Sequence, residues 1–132
     1  YKRQVRSLDE DMRDLVQERL SQVAEGTAAA NQCEITIEYE RGYPITDNNE
    51  EATQHAISVA SSVSEVDTDT PPIMPSEDFA YMLMEKPGAF IFLGNGDSQM
   101  LHNPEYIFDD EAIPFGSSWY AGMVEERLPI TG

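Results

Sequence analysis

The hydrophobic and polar positions at the start of the chain follow two different periods. From Ser7 onward apolar residues recur every three or four positions, which is the period of one face of an α-helix, and Ser7 and Glu10 have the spacing of a capping box. We therefore predict a helix from about Leu8 to Ala29, after a short strand at 4–6. Residues 34–40 alternate strictly between polar and apolar positions, which predicts a half-buried strand. The first 42 residues are thus predicted to form a strand–helix–strand unit.

The remaining residues have a different pattern. Asp47 or Asn48 can cap a second helix ending near Ser62, and Ser76 can cap a third at 77–85. The run 89–93 is apolar without alternation, which is typical of a central strand covered on both faces, and a last helix is predicted at 114–128. Residues 43–132 are therefore predicted to be part of an α/β domain. Neither segment completes a core by its own pattern, so we expect the sequence to be a piece of a longer protein.

The net charge of the chain argues against two classes of binding partner. The net charge is −17, from 25 acidic and 8 basic residues. Nucleic acids and anionic membranes both bind basic surfaces, so we expect neither as a partner. No apolar run is long enough to cross a membrane, and the single cysteine, Cys33, fits neither an internal disulfide nor a zinc spacing.

Three places carry side chains that can do chemistry. His102 follows the predicted central strand and the Gly94–Gly96 turn, where open α/β sheets place their sites, so it is a candidate metal ligand. An ordinary loop histidine is the alternative, because a metal site needs three or four protein ligands. Glu77 and Asp78 begin a predicted helix, where capping is the alternative role. Arg6 can clamp a carboxylate or form a surface ion pair.

Seven short motifs occur in one order along the chain. They are Arg6-Ser7-Leu8-Asp9, Arg41-Gly42-Tyr43-Pro44, Pro75-Ser76-Glu77-Asp78-Phe79-Ala80, Pro87-Gly88-Ala89-Phe90, Phe92-Leu93-Gly94, Leu101-His102-Asn103-Pro104 and Asp110-Glu111-Ala112-Ile113-Pro114. Together they resemble the C-terminal third of the metal-dependent amidohydrolases that cleave N-acyl amino acids, of the hippurate hydrolase and auxin-conjugate hydrolase type. These enzymes lie within the superfamily of aminoacylase and carboxypeptidase-like metallopeptidases.

The resemblance implies an α/β fold in two parts. Residues 1–42 would be the C-terminal half of a ferredoxin-like α+β lid that also dimerises. Residues 43–132 would be the returning C-terminal segment of a catalytic domain with a mixed sheet flanked by helices.

The resemblance also implies roles for single residues. His102 would be the family's last metal ligand, and Glu77 and Asp78 would support the site as a second shell. Substrate would contact Gly94, Asn95, Gly96 and Arg6. The general-base glutamate and the other ligands would lie upstream of this sequence, so no catalytic base is assigned here and we expect the 132 residues alone to be inactive.

The implied activity is hydrolysis of the amide bond of N-acyl amino acids or small peptide-like amides by a metal-activated water. Two divalent metals are expected per active site, drawn from zinc, manganese, cobalt or nickel. A homodimer through the lid and a cytoplasmic location are expected, with the periplasm as the alternative location. The competing interpretation is a non-catalytic acidic dimerisation or scaffold domain.

Overall fold

The computed structural model describes residues 2–129, and the elements found there are helices. They are α1 (Glu10–Ala30), α2 (Glu50–Val63), α3 (Phe79–Glu85) and α4 (Ala112–Arg127). The chain divides into two compact units. The first unit, Tyr1–Asp47 with Pro72–Glu85, contains α1 and α3. The second, Asn48–Pro71 with Lys86–Gly132, contains α2 and α4.

The predicted sheet is wrong. Residues 2–129 contain no β-strand, and the three predicted strands at 4–6, 34–40 and 89–93 have no regular secondary structure. Alternation of polar and apolar residues indicates which side chains favour burial, but a strand exists only where a second backbone segment supplies the hydrogen bonds of a ladder. No described segment pairs in this way. The α/β class, the mixed sheet and the ferredoxin-like half-lid are therefore corrected to a helical architecture.

The helices begin at different caps from the predicted ones. Asp9 caps α1, its Oδ1 accepting the Met12 N–H at 2.7 Å, so the helix starts at Glu10 rather than Leu8. Ser7, the predicted cap, bonds only the backbone of Asp9. Asn49 caps α2 by accepting from Ala52 N–H at 3.0 Å. In each case the residue one to two positions later in sequence reaches the open N–H groups of the first turn.

The core of the second unit forms where α2 crosses α4. Ala56 and Val59 of α2 and Ala112 of α4 are buried. The Trp119 indole donates its Nε1–H to the Ala56 carbonyl at 3.1 Å, which fixes the two helices side by side. Small residues at the crossing allow this close approach.

Many large apolar side chains of the helices and of the predicted central strand are exposed. On α1, Val23 is 68% exposed, and on α4 Tyr120 is 70% exposed. In the predicted central strand, Phe92 is 61% exposed. An amphipathic pattern indicates which side chains favour burial. Those side chains are buried only where another element packs against the apolar face. Among the described residues that condition is met chiefly between α2 and α4.

Candidate functional site

His102 lies in a loop whose two ends are held together by one side chain. We name residues 96–108 the His102 loop. Asn95, just before the loop, accepts the Asp109 N–H through Oδ1 at 2.8 Å and donates through Nδ2 to the Ile107 carbonyl at 2.7 Å. Nδ2 also lies 2.8 Å from Ser98 Oγ. The amide of Asn95 therefore bridges the beginning and the end of the loop.

The backbone of the loop is ordered by two further turns. Asn103 N–H donates to the Met100 carbonyl at 3.1 Å, and Tyr106 N–H donates to the Asn103 carbonyl at 3.0 Å. Gly96 has φ +67°, a left-handed conformation that glycine adopts without steric cost, so the chain can turn directly after Asn95. Gly94 has open space where a side chain would begin.

His102 itself has an uncommon backbone conformation. Its φ is 68°, in the left-handed region, which residues other than glycine adopt uncommonly and most often at turns or functional sites. The side chain is exposed, and no described residue forms a hydrogen bond with the imidazole. Both ring nitrogens are therefore open to a ligand from outside the described residues.

Arg6, Glu77 and Asp78 belong to the first unit. The Arg6 guanidinium donates to the Met74 carbonyl, beside a cavity of about 130 Å³ that Arg6, Arg13 and Tyr43 help to line. Glu77 Oε1 accepts the Phe79 N–H at 3.2 Å, so this carboxylate caps α3 in place of the predicted Ser76. Asp78 accepts the Tyr81 N–H through its backbone carbonyl at 3.0 Å. The predicted site residues of the second unit are Gly94, Asn95, Gly96 and His102.

The described residues do not assemble a metal site by themselves. Across residues 2–129, no group of three or more histidine, cysteine, aspartate or glutamate side chains is arranged to hold an ion. His102, as an exposed imidazole without a protein partner, fits the chemistry of one ligand. A complete site needs three or four, so the remaining ligands would have to come from other residues.

A charged network in the first unit was not anticipated from the sequence. Arg41 contacts both Glu10, at 2.6 Å between Nη2 and Oε2, and Asp14, while Arg13 contacts Glu10 and donates to the Gly42 carbonyl at 3.1 Å. The hydrogen bond from Arg41 lowers the pKa of Glu10, with a further contribution from Arg13. The hydrogen bonds that Arg41 donates to Asp14 and Glu10 raise the pKa of Arg41. The network ties the segment after the predicted strand to the first turns of α1.

The comparison with protein families decides the classification. The model of Peptidase family M20/M25/M40 matches residues 8–126. The chain belongs to this family. The resemblance stated from the seven motifs is thereby confirmed, and M20 peptidases are generally metal-dependent.

Individual relatives agree with the family match. The chain is 36% identical over 130 residues to a hippurate hydrolase of Campylobacter jejuni, covering 96% of this chain and 34% of that protein. It is 32% identical over 126 residues to an N-acetyldiaminopimelate deacetylase of Pediococcus pentosaceus, covering 94% and 33%. It is 34% identical over 113 residues to the deacetylase of the same name from Streptococcus suis, covering 84% and 30%. The chain thus spans about a third of the length of these M20 relatives.

No solved structure gives a significant match to the chain. None of the helices within residues 2–129 has the length and apolar character needed to span a membrane.

Proposed function

We propose that this M20 chain is part of a metal-dependent hydrolase that cleaves the amide bond of N-acyl amino acids. The family match over residues 8–126 supports the reaction class. The names of the relatives support the substrate class, because hippurate is an N-acylated glycine and N-acetyldiaminopimelate is an N-acylated amino acid. The common element is an acyl group on the nitrogen of a molecule that also carries a carboxylate.

The proposal rests on one observation, which is that the imidazole of His102 is exposed and unpaired among the described residues. Its imidazole is exposed, has no hydrogen-bond partner among the described residues, and stands on a left-handed backbone in a loop closed by Asn95. A side chain held in this way is available to a metal without first losing a protein partner. When bound, a divalent metal polarises an amide carbonyl and makes a water nucleophilic near neutral pH. The contribution of this chain is to hold one ligand in place.

The other predicted residues take supporting roles in the proposal. Gly94, Asn95 and Gly96 would border the substrate, since open space at Gly94 lets a ligand approach the backbone closely. Arg6 has donors beyond the one that binds the Met74 carbonyl and would face a substrate carboxylate. Glu77 and Asp78 would support the site from the start of α3.

Two divalent metals would occupy the active site of the full-length protein, and each would be zinc, manganese, cobalt or nickel. We propose that this protein lies in the cytoplasm. A homodimer would form through residues 1–42, where Ile35 is 48% and Tyr39 37% exposed and residues 34–40 lack regular structure. The 132 residues alone would be inactive, because those that are described hold no three-ligand cluster.

A substrate panel tests the reaction. The full-length protein, loaded with Zn²⁺ or Mn²⁺, is assayed with N-benzoylglycine, N-acetyldiaminopimelate and an unacylated dipeptide of similar size. We expect hydrolysis of at least one N-acyl amino acid, loss of the activity on chelation, and a loss of about 100-fold or more in His102→Ala. The matched control is His55→Gln, which alters the only other histidine, on α2, and should keep activity. Full activity of His102→Ala, or activity that resists chelation, would refute the proposal.

The scaffold interpretation makes a different prediction for the same protein. A purely structural dimerisation domain would show no hydrolysis of any N-acyl amino acid, yet would associate without metal. Ile35→Glu, at an exposed apolar position, would then abolish association, and Thr36→Glu, at the neighbouring exposed polar position, would serve as the control.

A further inference from the structure

Asn95 uses its side-chain amide entirely within the chain. Its Oδ1 accepts from Asp109 N–H, and its Nδ2 reaches both the Ile107 carbonyl and Ser98 Oγ at 2.7 and 2.8 Å. An asparagine amide has two N–H donors, so both are engaged. The side chain is half-buried, whereas most of the loop that it closes is exposed.

The bridge determines how much freedom the His102 loop has. A loop of 13 residues with free ends loses much conformational entropy when it adopts a single geometry. Joining the two ends leaves the loop fewer conformations, so that loss is smaller. The turns at 100–103 and 103–106 order the tip, but neither of them joins the two ends. The bonds to Ile107 and Asp109 do so, since both partners follow the tip in sequence.

We propose that Asn95 is a positioning residue for His102: its amide closes the loop so that the imidazole is presented to a metal from a fixed base. The inference rests on the proposed role of His102 as a ligand. Asn95 need not touch the metal. Its removal would let the loop adopt many conformations, and only a fraction of them would place the imidazole correctly, so the affinity for metal would fall.

The first test measures the closure of the loop without using activity. Hydrogen–deuterium exchange is followed by mass spectrometry in the full-length protein, for the wild type and for Asn95→Ala, Asn95→Asp and Ser98→Ala. We expect exchange in peptides covering 96–109 to be about 10-fold faster in Asn95→Ala. Asn95→Asp should have an intermediate effect, because it loses both donors but keeps an oxygen that can accept the Asp109 N–H. Ser98→Ala should have a small effect, because it removes one contact and leaves the two that join the loop ends.

The matched control is another asparagine that bridges backbone groups in the same unit. Asn48 donates to the Phe90 carbonyl at 2.9 Å and accepts the Phe90 N–H at 2.8 Å. Asn48→Ala should speed exchange around Phe90 and leave peptides covering 96–109 unchanged. Equal exchange of those peptides in Asn95→Ala and the wild type would overturn the inference.

The second test separates this inference from the proposed function. Amide hydrolysis is measured against Zn²⁺ or Mn²⁺ concentration for the wild type, Asn95→Ala, Asn48→Ala and His102→Ala. The inference predicts that Asn95→Ala needs about 10-fold more metal than the wild type for half-maximal activity, and that Asn48→Ala needs the same amount as the wild type. An unchanged metal requirement in Asn95→Ala would contradict it. If His102→Ala keeps its metal requirement while Asn95→Ala opens the loop, the proposed function is wrong and the structural role of the bridge stands.

Discussion

Gly122 of α4 lies so close to Val59 of α2 that a Cβ atom on the glycine would come within 2.7 Å of Val59 Cγ1. Real Cβ atoms do not approach other carbons to this distance, so the crossing of the two helices depends on the absence of a side chain at position 122. The Trp119–Ala56 hydrogen bond and the contact of His55 with Glu126 join the same two helices. The core of the second unit is therefore built around a small-residue crossing.

Gly122→Ala should destabilise the second unit. The added methyl overpacks the contact with Val59, at a cost of about 1–3 kcal/mol, which the better helix propensity of alanine offsets by about 0.5–1 kcal/mol. We expect a lower urea midpoint for Gly122→Ala. The matched control is Gly26→Ala in α1, where an added Cβ meets nothing within 4 Å, and this change should stabilise the chain. If both substitutions stabilise by similar amounts, the close crossing is incorrect.

Asp9→Ala should cost more stability than Ser7→Ala. Asp9 Oδ1 accepts the Met12 N–H, while Ser7 bonds only the backbone of Asp9 and lies outside the helix. Loss of an N-cap costs about 1 kcal/mol, so the unfolding free energies of the two variants should differ by about that amount. Urea unfolding followed by circular dichroism at 222 nm measures both. A larger loss in Ser7→Ala would restore the cap predicted from the sequence.

Local signals in the sequence predicted the helices well and the strands poorly. The period of apolar residues and the polar residues near the helix starts placed all four helices within a few residues, because both signals act within one or two turns. The apparent strand at 34–40 depends on a partner segment, and the described residues supply none. The same reason explains the exposure of Phe92, whose predicted burial in a central strand also required neighbouring layers.

The candidate site was predictable only in part. His102 was identified because it stands in a motif, but its left-handed backbone was not, since no local rule demands that conformation of histidine. The bridging role of Asn95 depends on partners up to 14 residues away, and that of Asn48 on a partner 42 residues away. Such contacts leave no periodic pattern. The pairing of Arg41 with Glu10, which are 31 residues apart in sequence, was not predicted for the same reason.

Arg41→Gln should raise the pKa of Glu10. The hydrogen bond from Arg41 is the largest cause of the lowered pKa, so its loss should move the Glu10 carboxyl toward its ordinary value, and Arg13→Gln should move it less. A depressed carboxyl pKa stabilises the fold above the ordinary glutamate pKa of about 4.3, and this contribution is lost as the pH falls through the folded value. The effect on stability is small because the groups are exposed to solvent.

An NMR titration of the Glu10 side-chain carboxyl carbon between pH 2 and 7 measures this directly in the wild type and both variants. Lys86→Gln serves as the control, because it removes a positive charge outside the network of Arg13, Glu10, Asp14 and Arg41. An unchanged Glu10 pKa in Arg41→Gln would show that the network does not persist in solution.

The metal content of the full-length protein tests the central claim most directly. The wild type, His102→Ala and His55→Gln are purified identically, dialysed against a low concentration of Zn²⁺ or Mn²⁺, and analysed by inductively coupled plasma mass spectrometry. If His102 is a ligand, the wild type and His55→Gln retain the same amount of metal per chain and His102→Ala retains measurably less, with a 10- to 100-fold weaker affinity. Equal metal content and affinity in all three proteins would contradict the assignment of His102 as a metal ligand.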